Sequence, residues 1–221
     1  MVYSRRTAQE SIPPLLEDTL LRGTRVLLVG MLCTPISACE GTGDIVIHPE
    51  FDLSYSFESG LEQWSGDGVD LFDPIVTWSA ERTGQQASLG GSSVQLSLDN
   101  ANGVAKIWIE RGFTVDPSRS YNVDISFDIG TADSGQADSW RLLAGAHTSP
   151  PDIASELTVQ DATGNGAVSG TGLVWLSKSY RVSASSGADG RMTVVIGLWG
   201  TSEGARSYYI DNVRLLFTRA F

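Results

Sequence analysis

From Leu53 onward the chain consists of short runs in which apolar and polar residues alternate, separated by Gly, Asn, Asp and Ser. The clearest run is Tyr121 to Ile129. Tyr121, Val123, Ile125, Phe127 and Ile129 fall on one face of an extended strand, and Asn122, Asp124, Ser126 and Asp128 fall on the other. Such a strand is buried on one side and wet on the other. Further strands are predicted near 53–58, 75–82, 92–98, 104–115, 139–146, 173–184, 191–201 and 207–217, with turns at 99–103, 116–119 and 187–190. Residues 132–138 and 148–172, rich in Gly, Ser, Asp, Pro and Thr, read as loops. The second is long enough to carry a short strand near Leu157. No 20–50-residue period repeats and no second core follows, so nine strands predict one all-β domain of two packed antiparallel sheets over 51–221.

The pattern ahead of the strands is different. The apolar run Val26 to Leu32 stands behind Arg22 and Arg25, is too short to span a bilayer, and leads to Ile36-Ser37-Ala38-Cys39. A positive patch, a short apolar stretch and small residues at a cleavage point form an export signal, expected as a helical segment preceding the sandwich. Its last four residues resemble the lipobox of bacterial lipoproteins. That resemblance implies a lipid on Cys39, a mature protein starting there, and a place in the cell envelope, at the periplasmic face or the cell surface. The organisation expected is a leader and signal peptide at 1–39, a tether at 40–50 and the β domain at 51–221. Glu10, Glu17 and Asp18 put acid where such signals are basic, which leaves two readings: a long leader, or a translation start nearer Leu21. Arg5-Arg6 lies too far from the apolar run to serve as a twin-arginine signal.

Cysteine and charge narrow the picture. The two cysteines, Cys33 and Cys39, both precede the domain, so its core is expected to form without a disulfide. The chain carries a net charge of −11; four of its 15 basic and three of its 26 acidic residues precede Glu40, leaving 11 and 23 from Glu40 onward. No basic stripe is present to meet phosphates, which excludes nucleic acid and electrostatic adhesion to anionic lipid.

Three segments then occur in a familiar order: Tyr55-Ser56-Phe57-Glu58 followed by Trp64, then Gly91 to Leu96, then Tyr208-Tyr209-Ile210-Asp211-Asn212-Val213-Arg214-Leu215. They resemble the carbohydrate-binding jelly rolls of the galactose-binding-like superfamily, nearest to carbohydrate-binding module families 4, 9 and 22. The resemblance implies a two-sheet antiparallel jelly-roll β-sandwich. It also implies a structural calcium ion where the opening and closing strands meet, with Glu58 and Asp211 as carboxylate ligands beside loop carbonyls. The alternative is that both carboxylates cap loops by accepting backbone hydrogen bonds.

A sugar-binding surface needs a flat aromatic face flanked by polar groups. Trp108 shares a strand face with Lys106 and Glu110, opposite Ile107 and Ile109, so alternation turns it outward or into a groove. Trp108, Lys106, Glu110 and Trp199 are the candidate ligand-binding residues, although Trp199 cannot be assigned to a face. Trp64 and Trp78 read as core, and Trp140 and Trp175 have no placement. Catalytic machinery is sparse: the two histidines are His48 and His147, and no Gly-x-Ser-x-Gly elbow is present. The expectation is therefore a membrane-anchored, non-catalytic protein that binds a polysaccharide or envelope glycan. The alternatives are a structural or protein-binding sandwich of the envelope, with a protein as partner, and a glycan-active enzyme.

Overall fold

The computed structural model describes residues 51–132, 139–161 and 172–220. The leader, Cys39 and the tether lie outside the described residues.

Eleven strands are described. In chain order they are β1 (Phe51–Tyr55), β2 (Ser65–Val69), β3 (Thr77–Thr83), β4 (Ser93–Asn100), β5 (Lys106–Thr114), β6 (Ser120–Thr131), β7 (Trp140–His147), β8 (Val159–Asp161), β9 (Val174–Ser185), β10 (Arg191–Gly200) and β11 (Gly204–Arg219). They form two sheets that pair antiparallel throughout. The first runs β3-β4-β11-β6-β9, with β1 beside the C-terminal half of β11; the second runs β2-β5-β10-β7-β8. The fold is the two-sheet jelly-roll sandwich expected from the sequence.

The strand missing from the sequence reading is β2. Ser65-Gly66-Asp67-Gly68-Val69 holds one apolar residue and sits at a sheet edge, so no alternation marks it. β8 is three residues long and follows a 3-10 turn at Ala154–Glu156, close to where a short strand was expected. β1 ends at Tyr55 rather than running to 58, and Phe57 takes a left-handed φ of 59°.

The core lies between the sheets. β6 sends in Tyr121, Val123, Ile125, Phe127 and Ile129, all buried, toward Ile107 and Ile109 of β5 and Val194, Ile196 and Leu198 of β10. Trp64 packs edge-on against Tyr55 with centroids 5.5 Å apart, and Trp140 packs on Tyr208 at 5.3 Å. Trp78 is half-buried against the same core. β10 departs from simple alternation, because Val195 is buried as completely as Val194 and Ile196. A central strand with cover on both faces reads as an unbroken apolar run, which is why Trp199 had no assignable side.

Candidate functional site

The register of the second sheet fixes which side chains share its outer face. Gly197 lies opposite both Trp108 and Leu143, Val195 opposite Glu110 and Gly145, Trp199 opposite Lys106 and Arg141, and Thr193 opposite Gly112 and His147. Trp108 therefore points away from the core formed by Ile107 and Ile109, as alternation requires. It is nonetheless 0% exposed, as is Leu143, with Val195 at 1%. The sequence expectation of an available aromatic face at Trp108 is corrected here.

Two features bury it. Gly197 lets β10 approach β5 closely at Trp108: a Cβ there would stand 2.3 Å from the Ile107 carbonyl oxygen and 2.4 Å from the Trp108 Cβ. The segment after β7 then folds back over the sheet. The Thr158 carbonyl accepts from the Ala144 amide at 3.2 Å, while Asp152, Ile153 and Ala154 share a hollow with Gly68 to Phe72 at the end of β2. The strap thus crosses from β7 to β2, with Pro151 buried beneath its surface. Its cover comes from residues more than 40 positions after Trp108, which the local strand pattern could not reveal.

Lys106 and Trp199 sit at one end of this face. Lys106 is 7% exposed; it pairs with Asp70 and donates to the Val104 carbonyl at 3.0 Å. Trp199 is half-buried between two cations, Lys106 at 4.6 Å and Arg141 at 4.9 Å from its ring. Both cations stand over the ring, and the stack occupies this end of the face.

The opposite end is open. A cleft of about 480 Å³ lies beyond the strap, floored by Glu110, Gly112, Thr114 and Thr193 and walled by Ser65, Ser149 and Arg191. Glu110 is the one sequence candidate that reaches it. Its Oε2 accepts from Trp108 Nε1 at 2.9 Å, so the buried indole positions the carboxylate. Burial, with the negative charges of Asp67 and Asp152, pushes the Glu110 carboxyl above its usual range against the pull of that hydrogen bond. Asp189 also lines the cleft; it accepts from the Arg191 amide at 3.0 Å and pairs with its guanidinium at 3.4 Å. Arg191, Thr193 and Thr114 had no distinguishing sequence signal, because scattered polar residues on strands are ordinarily solvated surface.

His147 shows no catalytic arrangement. Burial lowers its pKa, opposed by Glu156, and its Nε2 is buried against Gly145 without a hydrogen-bond partner among the described residues.

The expected metal ligands lie elsewhere, on the first sheet and the loop at 84–92. β1 pairs with β11 through Tyr55 and Val213, so the opening and closing strands do meet there. Glu58 Oε1 accepts from the Gly91 amide at 2.8 Å and the Ser92 amide at 3.0 Å. Asp211, 0% exposed, accepts from the amides of Ser88 at 2.8 Å and Leu89 at 2.9 Å through Oδ2, and from Asn212 at 2.7 Å through Oδ1. The carbonyls of Phe57 and Glu58 accept from the Arg82 guanidinium at 2.6 and 2.8 Å. This donor set does not fit a calcium ion. Five backbone N–H groups aim at the two carboxylates, and a guanidinium already holds the loop carbonyls. Among the described residues, no group of three or more His, Cys, Asp or Glu could hold a metal.

No family model matches the sequence, and no curated protein matches it. Three solved structures illustrate what the chain is similar to. The CBM22-1 xylan-binding domain of Paenibacillus barcinonensis Xyn10C is 18% identical with a TM-score of 0.44, over 76% of this chain and 95% of that one. The K1 cleaved adhesin domain of Lys-gingipain from Porphyromonas gingivalis W83 is 15% identical with a TM-score of 0.46, over 75% and 97%. TmCBM61, solved with β-1,4-galactotriose, is 13% identical with a TM-score of 0.39, over 72% and 92%.

Proposed function

We propose that the described domain is a non-catalytic glycan-binding domain whose ligand enters the cleft at the open end of the second sheet. The observation that carries this reading is the cleft itself. Its volume of about 480 Å³ is within the roughly 300–1,000 Å³ of small-molecule sites. Its floor and walls alternate hydrogen-bond acceptors and donors: Glu110, the Thr193, Thr114 and Ser65 hydroxyls, and the Arg191 guanidinium. That pattern matches the hydroxyls of a sugar, each of which donates and accepts. The two carboxylates of the cleft already have structural partners, Trp108 for Glu110 and Arg191 for Asp189, which supports binding without bond cleavage.

The test is calorimetric titration of the purified chain with soluble polysaccharides, with a reducing-sugar assay alongside. Thr193→Ala combined with Arg191→Ala is expected to weaken binding roughly tenfold, the loss of one or two hydrogen bonds to a ligand, at an unchanged melting temperature. Release of reducing ends would sink the non-catalytic part of the reading, and full affinity in the double variant would sink the site.

The reading extends to a lipid-anchored envelope protein, supported by the Val26 to Cys39 pattern. Mass spectrometry of the mature chain is expected to find a diacylglycerol-modified N-terminal Cys39; an unmodified N-terminus upstream of it would exclude the anchor.

A further inference from the structure

We propose a second glycan contact on the outer face of the first sheet, where Trp175 stacks on a pyranose ring of a neutral polysaccharide. This extends the glycan-binding reading to a separate surface. Trp175 on β9 lies opposite Gly130 on β6, and Gly130 lies opposite Tyr209 on β11. A Cβ at Gly130 would stand 3.1 Å from each of three Trp175 ring atoms, Cδ2, Cε2 and Cε3. Equal distances to atoms spread across the ring mean that the indole lies flat on the β6 backbone. A Cβ at position 130 would press on the ring, and a branched side chain would lift it off. Tyr209 packs beside it, ring centroids 6.4 Å apart and planes tilted by 54°, which holds the indole from the flank.

Trp175 is half-buried. One of its faces is taken up by the Gly130 backbone, so the surface it still exposes belongs to the opposite face and the free edge. A rigid indole held flat with one face outward is the shape that meets the C–H side of a pyranose.

The surroundings choose between a sugar and an apolar protein partner. Along β9 the same face continues into Ser177 and Ser179, whose hydroxyls bond Asp128 at 2.6 Å and Ser126 at 3.1 Å. Across β11 it meets Gln95, which donates to Ser207 at 3.1 Å. A hollow of about 470 Å³ adjoins Tyr209 and reaches Ser207 and Gln86. An apolar partner would need a contiguous apolar patch, whereas here a single aromatic platform stands among hydroxyls and amides. The Asp128 carboxylate, two residues along β6 from Gly130, disfavours a uronate and favours a neutral sugar. With the cleft on the other sheet, one molecule would present two contacts on opposite sides. Such a molecule gains avidity on a polymer and can bridge two strands of it.

The test uses the full chain with soluble xylan, β-1,4-galactan and mixed-linkage β-glucan as probes. Trp175→Ala is expected to weaken binding of a recognised probe about tenfold, and Gly130→Val, which leaves the indole in the chain but lifts it, is expected to do the same. In the wild-type chain that probe should also protect Trp175 from N-bromosuccinimide oxidation, read by peptide mass spectrometry, which is independent of any variant's folding. Oxidation of Trp175 at equal rates with and without a probe bound by the chain overturns the proposal, as does failure of all three probes to bind. The two sites separate cleanly. A loss confined to the Thr193/Arg191 variant leaves the cleft standing and removes the Trp175 contact, whereas a loss confined to Trp175→Ala does the reverse.

Discussion

Trp108→Ala is expected to lower the unfolding free energy by about 3–5 kcal/mol, as for other fully buried large aromatics. In a domain of this size that corresponds to a fall of roughly 10 °C or more in melting temperature. The indole is 0% exposed on the sheet face that it shares with Leu143 and Val195. Removing it leaves a cavity that Leu143 and Val195, each fixed on its own strand, cannot close. It also deletes the N–H that positions Glu110, so the cleft loses its best-held acceptor. Trp108→Phe fills most of the space and is expected to recover most of the stability but not the orientation of Glu110. Differential scanning calorimetry with glycan titration separates the two effects. A stable Trp108→Ala variant that had lost binding alone would mean that the ring is a ligand contact after all.

Asp211→Ala should be comparably damaging, by about 3 kcal/mol or more, because it strands backbone N–H groups that together depend on one buried carboxylate. The amides of Ser88, Leu89 and Asn212 all point at it, and Asn212 holds a left-handed φ of 50° beside the register shift in β11. Asp211→Asn keeps one oxygen acceptor and should retain part of the stability. Thermal melts with and without EDTA are expected to coincide, since hydrogen bonds and the Arg82 guanidinium hold the loop at 84–92. A melting temperature that dropped with chelator would restore calcium to this site and overturn the assignment of Arg82 as its internal cation.

Acid adds a related effect. Asp128 faces Asp211 across the ladder. Burial tends to raise its pKa, but hydrogen bonds from Ser177, Ser88 and Asn212 outweigh that and hold it below the usual carboxylate value. A carboxylate whose folded pKa is lowered contributes stability above its unfolded pKa and loses it as the pH falls through the folded value. The stability that this clamp contributes therefore begins to fall as the pH drops to the ordinary aspartate pKa and is lost only below it.

The parts of the fold that were legible in the sequence were those in which one strand carries its own evidence. Tyr121 to Ile129 alternates cleanly because β6 has a core on one side and water on the other, and its outward Asp124 pairs with Arg181 across the sheet. Strand alternation also placed Trp108 on the correct face. What escaped was cover and contact brought from far away in the chain. The strap that hides Trp108, the two cations that sandwich Trp199 and the glycine that seats Trp175 are all cross-strand or loop partners, and none leaves a mark in its target's own neighbourhood. Glu58 and Asp211 illustrate the same limit. Their positions at the junction of opening and closing strands were readable, but the direction of the surrounding N–H groups, which decides between a metal and a loop, was not.

β11 is the last strand in the chain, yet it lies in the interior of the first sheet, bonded to β6 on one side and to β4 and β1 on the other. Until it is made, β3-β4, β6-β9 and β1 have no common partner within their sheet. All the described strands from β1 to β11 must therefore be present before this sheet can assemble, and its folding waits on contacts between distant parts of the chain. The sheet is thus all-or-none with respect to this strand: a fragment that stops before Gly204 leaves the β3-β4 and β6-β9 pairs with nothing to join them.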